Sequence, residues 1–339
     1  MGVCLCHKQN KAAVLFCYNA YIKRKSEDAG VITVVGSLNM DLVVQTTHIP
    51  RVGETVLARD LRYVEGGKGA NQTLAAARLG GEVSMIGAVG KDEMGDRLIA
   101  ALAADSVDVS GIKRSSEASG MALITVDAKG NNAITVISGA NHDVSVRDLQ
   151  QHEDKIASSS IVLAQLECPL DLVTEAMLLA KKHACISVLN PAPAQALPPD
   201  LLSLVDILTP NETELQILSG LGTDTLAECQ AAGEKLMAGG IKSLIVTLGS
   251  KGCYYMDSKE SIFYPSYEVK MTDSTAAGDC FNGALVAALS RGKSLPEAID
   301  FAMKASAISV TRPGAQPSIP TLADMENFDL WYEDRRLDK

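Results

Sequence analysis

A surplus of positive charge is missing from this sequence. It carries 31 Lys and Arg against 41 Asp and Glu, a net charge of −10, and shows no basic stripe. Nucleic-acid binding normally rests on such a surplus, so that class of partner is not expected. An anion can still be met locally, at a helix N-terminus. Long apolar runs are missing too: none approaches the ~18 residues of a membrane-spanning helix, so no membrane partner is expected. The eight cysteines, Cys4, Cys6, Cys17, Cys168, Cys185, Cys229, Cys253 and Cys280, make no disulfide framework. Scattered in this way they read as buried thiols in a reducing, cytoplasmic compartment. Cys4-Leu5-Cys6-His7 lacks a second pair of ligands at usable spacing for a metal. There is no internal repeat and no low-complexity tract.

Apolar material is plentiful: 47% of the 339 residues are hydrophobic and 21% charged, enough to bury a sizeable core. The length suits two ordinary domains or one large α/β domain with an insertion. Residues 1–30 stand apart, with Lys8, Lys11, Lys23, Arg24 and Lys25 against Glu27 and Asp28. Their apolar patch is short for a signal peptide, and Cys6 stands where myristoylation wants Ser or Thr. They are expected to be a disordered extension.

From residue 31 the pattern turns regular. Strands predicted at 31–38, 83–89, 161–166, 185–189, 205–208 and 244–248 alternate with helices at 70–79, 94–106, 170–183, 212–218 and 227–238. Helices at 279–290 and 296–310 close the series. This alternation predicts an α/β fold, a mostly parallel sheet with helices on both faces. Residues 121–126 and 133–137 alternate in the β manner around Asp127-Ala128-Lys129-Gly130-Asn131, a hairpin, and 41–64 is β-like around Pro50 and Gly53. These imply a small sheet apart from the main one, from about 40–65 and 119–138, serving as a lid or a dimer surface. The main domain is expected over 31–325, with a charged tail at 326–339.

Five segments could carry chemistry. Gly66-Gly67-Lys68-Gly69-Ala70-Asn71-Gln72 runs into a helix, so backbone can approach a ligand and free N–H groups face it. It is neither a Walker A loop nor a dinucleotide fingerprint, because Gln72 stands where Gly is required. It also reads as a tight loop–helix junction. Asp273-Ser274-Thr275-Ala276-Ala277-Gly278-Asp279 leads into a helix whose amides and dipole can hold developing negative charge. Asp279 there is either a helix cap or a general base for a hydroxyl. Asn211 and Glu214 are three apart at a helix start, placed to order water around a phosphate-bound Mg²⁺ or to form a capping box. Thr247-Leu248-Gly249-Ser250-Lys251-Gly252 follows a strand, as a nucleotide-contacting loop or an ordinary turn. Asn39 and Asp41 end the first strand on one side, within reach of a polyol, and Glu167 likewise ends a later strand.

Together and in this order the segments resemble the ribokinase (PfkB) family of carbohydrate kinases, over about residues 31–320. Gly66 to Gln72 is similar to the family's N-terminal signature and Asp273 to Asp279 to its C-terminal one. Residues 189–194, 209–212 and 311–318 resemble further family segments. Ser274 and Ala276 depart from the common form, which has Thr and Gly there. The resemblance implies a ribokinase-like fold with a β-sheet lid and ATP-dependent phosphorylation of the 5-hydroxyl of D-ribose. It implies Asp279 as base and the Ala276, Ala277 and Gly278 amides as anion hole. It gives Asn39, Asp41, Gly67, Lys68, Asn71 and Glu167, with Asp279, to the sugar. Asn211, Glu214, Thr247, Gly249, Gly252 and Gly278 fall to the nucleotide and Mg²⁺ side. Asp273, Thr275, Ser309, Arg312, Gly314 and Ser318 match a loop pair holding an activating K⁺, several through backbone carbonyls. Independently of the resemblance, a small sheet apart from the core leaves edges and an apolar face needing cover, which predicts a homodimer through the lid. Alternatives are a kinase for 2-deoxyribose, another sugar or a nucleoside, with bulky Met40 able to reshape the sugar's edge, and a non-catalytic sugar-binding regulator on the same scaffold.

Overall fold

The computed structural model describes residues 30–336. The extension expected over 1–30, its Cys4-Leu5-Cys6-His7 segment included, lies outside the described residues but for Gly30. Thirteen strands are described in chain order: β1 (Val31–Val35), β2 (Asn39–Gln45), β3 (Asp60–Gly66), β4 (Val83–Gly90), β5 (Asp108–Ser115), β6 (Gly120–Val126), β7 (Asn132–Ile137), β8 (Ser159–Ala164), β9 (Ile186–Leu189), β10 (Ile207–Leu208), β11 (Ser243–Thr247), β12 (Gly252–Asp257) and β13 (Ser261–Pro265). Nine of them form the main sheet in the order β13-β12-β11-β10-β9-β8-β1-β4-β5. Every pairing from β11 to β5 is parallel, and β12 and β13 add an antiparallel edge. Continuous apolar runs make sense in such strands, because both faces are covered. Along β8, Ile161 and Leu163 enter one core and Val162 and Ala164 the other. Each fully buried aliphatic side chain of this kind contributes about 1.5–3 kcal/mol.

β2, β3, β6 and β7 form the separate four-stranded sheet, order β3-β2-β6-β7. The chain leaves β1, builds part of this lid, and returns through helix Lys68–Arg78 to β4. It then fills one side of β1 with β4 and β5 and crosses to the other with β8 and those that follow. The order therefore reverses between β1 and β8, and a crevice at the carboxyl ends of strands is expected there.

Two differences from the sequence reading have clear causes. β5 was not anticipated: Asp108-Val-Ser-Gly-Ile-Lys-Arg-Ser is a polar edge strand with little alternation. Within the segment after Glu326, expected as a charged tail, residues 328–335 are helical. Helix Phe328–Arg335 buries Phe328, whose ring meets Tyr267 edge-on at 4.9 Å and stacks on Tyr332 at 5.7 Å. Phe328, Trp331 and Tyr332 fall at i, i+3 and i+4, an apolar stripe hidden among the four charged residues of this helix.

Helices Lys68–Arg78 and Ala277–Ser290 pack together through small residues. A Cβ on Gly283 would stand 2.4 Å from the Ala75 Cβ and 2.5 Å from the Gln72 carbonyl oxygen. Gly283→Ala gains about 1 kcal/mol of helix propensity but forces the helices apart, a cost of about 1–3 kcal/mol or more. We expect the variant to melt several degrees lower and to lose activity; a Tm equal to or above wild type would show that the helices separate without cost.

Candidate active site

β1 ends at Val35, and the next residues turn across the top of the sheet. Gly36 and Gly69 lie so close that a Cβ on Gly69 would stand 2.5 Å from the Ser37 nitrogen, and one on Gly36 would stand 2.8 Å from the Gly69 Cα. Gly67 adopts φ 90°, and its missing Cβ makes room for the Asn39 nitrogen at 2.7 Å. The glycines are thus required where helix Lys68–Arg78 begins against the β1–β2 junction. That helix start has no side-chain cap and no acidic first-turn residue of its own. Glu167, three residues past β8, supplies the anion: its Oε2 accepts from the Lys68 N–H at 3.2 Å, the Ser37 hydroxyl at 2.6 Å and Asn39 Nδ2 at 3.5 Å. Asn39 Oδ1 in turn accepts from Asn141 Nδ2 at 2.7 Å. Met40, between Asn39 and Asp41, is fully buried in the core with Leu38 and Leu74, so its bulk is turned away from the site.

Asp279 lies in the first turn of helix Ala277–Ser290 and is 7% exposed. Its Oδ2 accepts from Asn71 Nδ2 at 3.0 Å and its Oδ1 from Gln72 Nε2 at 2.9 Å. Asn71 Oδ1 is buried without a partner. Leaving such an acceptor unmet costs about 1–3 kcal/mol, which a ligand hydroxyl would relieve. Ala276, just before the helix, takes a left-handed φ of 58° and no side chain caps the helix start. The Ala277 N–H donates to the Ser274 carbonyl at 3.2 Å, so of the three expected anion-hole amides it is already engaged.

The charges converge. Burial pushes the Asp41 carboxyl up to about 7, and the negative charges of Glu167 and Asp279 add to it. Burial works against charge on Lys68 as well, but Asp279, Glu167 and Glu214 outweigh it and hold the ammonium above the usual lysine range. Glu214 is raised by burial, with the Asn211 N–H and Lys68 pulling the other way and Asp279 adding to the rise. Lys68 therefore links the half of the site around Glu167 to the half around Glu214.

Asn211 and Glu214 form a full capping box on helix Glu212–Ser219, with bonds of 2.8 and 2.9 Å. Thr247 bridges Asn211 at the carboxyl end of β11. Gly249 has φ 56° and open space around it. Gly252 is explained by the sheet: a Cβ there would stand 2.0 Å from the Tyr264 carbonyl oxygen of β13. Asp273 ties two loops, its Oδ1 accepting from Thr275 N and Oγ1 at 2.9 and 2.7 Å and its Oδ2 from the Gly314 N–H at 2.8 Å. Burial opposes the charge, but these bonds hold its carboxyl below the usual range. The Ser309 and Ser318 hydroxyls donate to Ser306 and Ala315 carbonyls, and Arg312 is committed to Asp324 at 2.8 Å. Sequence reasoning missed Ser37, Gln72, Asn141, Gln165 and Asn190 as participants. Gln165 carried a signal, a polar residue inside an otherwise apolar strand end.

Asp41 binds its proton more tightly in the folded chain than in the unfolded one, so stability falls as pH rises from about 4 to about 7. Asp41→Asn should therefore melt a few degrees above wild type near pH 8, with the gap closing near pH 4. A gap that does not depend on pH would show that Asp41 carries no such penalty.

The model of the pfkB family carbohydrate kinases matches residues 31–322. The ribokinase of Haemophilus influenzae is 43% identical over 298 residues, covering 88% of this chain and 97% of that protein. Among solved structures, the ribokinase of Thermotoga maritima superposes with a TM-score of 0.82 at 38% identity, covering 89% of this chain and 99% of that one. The Arabidopsis thaliana ribokinase complexed with ribose and ATP superposes with a TM-score of 0.83 at 31% identity, covering 88% and 98%.

Proposed function

The chain belongs to the pfkB family of carbohydrate kinases, and we propose that its reaction is transfer of the γ-phosphoryl group of ATP to the 5-hydroxyl of D-ribose. The observation that carries this reading is the place of Asp279: a buried carboxylate in the first turn of an uncapped helix, touching the loop–helix junction that begins the sugar side. Asn39, Asp41, Lys68, Asn71 and Glu167 hold the sugar's hydroxyls. Asp279 takes the proton of the 5-hydroxyl as that oxygen bonds to phosphorus, and the electron pair of the broken bond leaves on ADP. The Ala276 and Gly278 amides face the transferring group. Such transfer needs positioning and charge stabilisation more than covalent chemistry. Asn39 offers the hydrogen-bonding group that a 2-hydroxyl uses, which favours ribose over 2-deoxyribose.

Two cations fit the residues present. The capping box spends one Glu214 oxygen on the Asn211 N–H, leaving the other to order water around Mg²⁺ on the nucleotide phosphates. For K⁺ the proposed ligands are oxygens of Thr275, Ser309, Arg312, Gly314 and Ser318 on the loops joined by Asp273, supported by the link from Asp273 to Gly314 and by the Arg312 guanidinium being committed to Asp324. When bound, Mg²⁺ neutralises phosphate charge and K⁺ steadies the anion-hole loop.

ATP consumption should be highest with ribose among ribose, 2-deoxyribose and adenosine, and higher in potassium than in sodium buffer. Asp279→Asn should keep ribose binding and cut kcat by about 10²–10⁴. Turnover within a few-fold of wild type would remove Asp279 as the base, and preference for another acceptor would replace ribose.

The lid exposes Leu61, Tyr63 and Leu123 on one face and Ile134 and Val136 on the other, apolar side chains on a sheet with open edges. This supports a homodimer through the lid. Light scattering at micromolar concentration should read twice the chain mass; a monomer would withdraw the dimer and leave the chemistry standing.

A further inference from the structure

The structure assigns to Gln72 the role of a positioning residue that locks one oxygen of Asp279 and leaves the other, Oδ2, as the oxygen that takes the proton; this rests on the reading of Asp279 as base. Two amides meet the carboxylate, and they differ in how firmly they are held. Gln72 is fully buried and its amide is used on every side. Nε2 donates to Asp279 Oδ1 at 2.9 Å and to Asn190 Oδ1 at 3.0 Å, and Oε1 accepts from Gln165 Nε2 at 2.6 Å. Asn190 is fixed in its turn, donating through Nδ2 to the Thr209 carbonyl at 2.9 Å. Rotating the Gln72 amide would break three bonds at once in a buried site, so Oδ1 stays where it is. Asn71 makes one bond, to Oδ2 at 3.0 Å, and its own Oδ1 has no partner. An incoming hydroxyl can thus engage both Asn71 and Oδ2, donating its proton to Oδ2 as the new O–P bond forms.

The chemistry of the tether suits the task. Asp279 stands near Asp41 and Glu167. An amide tether orients the carboxylate without adding a second positive charge beside Lys68. The tether also runs to the sugar side. Gln165 follows β8 directly and stands two residues before Glu167, so the base and the acceptor-holding strand end share one buried chain of hydrogen bonds.

Gln72→Met keeps the volume and removes the bonds. We expect kcat on ribose to fall by about 10–100-fold, with KM and the directly measured Kd for ribose within about threefold. Gln165→Met, one link further away, should give a smaller fall in the same parameter. In an Asp279→Asn background Gln72→Met should cost no further rate. A rise in KM with kcat kept, or a full loss of rate persisting in the Asp279→Asn background, would make Gln72 a packing residue only and overturn the assignment. A thermal cycle reads the same pair without turnover: the Tm losses of Gln72→Met and Asp279→Asn should combine less than additively, and strict additivity would overturn the assignment. If wild type phosphorylates no sugar while the thermal cycle shows the coupling, the functional reading has failed and the tether stands; if wild type is active and the cycle is additive, the tether has failed alone.

Discussion

The contact between helices Lys68–Arg78 and Ala277–Ser290 is the constraint on which the site depends. One helix begins at the glycine-rich junction beside Glu167 and the other carries Asp279, and they come from opposite ends of the domain sequence. Gly283 lets the second helix settle against Ala75 and the Gln72 backbone with no side chain between them. Close packing of this kind transmits displacement, because interiors have little free volume to absorb it. The distances of about 3 Å from Asp279 to Asn71 and Gln72 are consequences of that approach. Glycines at 36, 67 and 69 perform the same service at the other end of the first helix.

This geometry concentrates negative charge in a half-dry crevice. Asp41, Glu167, Asp279 and Glu214 share a neighbourhood with Lys68, and burial, with the charges of Glu167 and Asp279 adding to it, raises Asp41 to about 7. Folding accepts the cost because the main sheet is buried on both faces and supplies stability elsewhere. A functional site with these groups satisfied internally would have nothing left for a ligand. The unpartnered Asn71 Oδ1 is the plainest sign of that reserve.

Much of this was legible in the sequence because the strands are buried on both faces and the helices are amphipathic, so both periods stand out. Both glycine-containing segments were legible as helix starts, since a backbone approach needs small residues whatever the ligand. Side-chain networks were not legible in the same way. Gln72 lies inside a noticed segment, yet its partners Gln165 and Asn190 are 93 and 118 residues away in sequence. Gly252 stands in a loop read as a nucleotide contact or an ordinary turn, and the Tyr264 carbonyl requires a glycine there across a strand pair that local pattern does not reveal. The aromatic stripe of the last helix was masked by charged neighbours, and only its docking on Tyr267 makes it visible.

That last helix also explains how the loop ahead of Asp279 is held from behind. Tyr267 lies six residues before Asp273, packs on Phe328 and Tyr332, and donates its hydroxyl to Asp300 at 2.6 Å. Val269 pairs with Arg336. The chain entering the loop is thereby fixed before Asp273 reaches across to Gly314. On the far side, Arg312 is held by Asp324, and Arg78 donates to the Gln316 carbonyl at 2.7 Å while gripping Asp105. The two loops are thus anchored at their outer ends by protein contacts, and at their inner ends they meet through the Asp273 carboxylate and through the Val310 carbonyl, which accepts from the Thr272 and Asp273 N–H groups at 2.7 and 3.1 Å. On the proposed reading, a cation at that junction would have little left to build: fixing the orientation of a few peptide groups there would preorganise the amides ahead of Asp279.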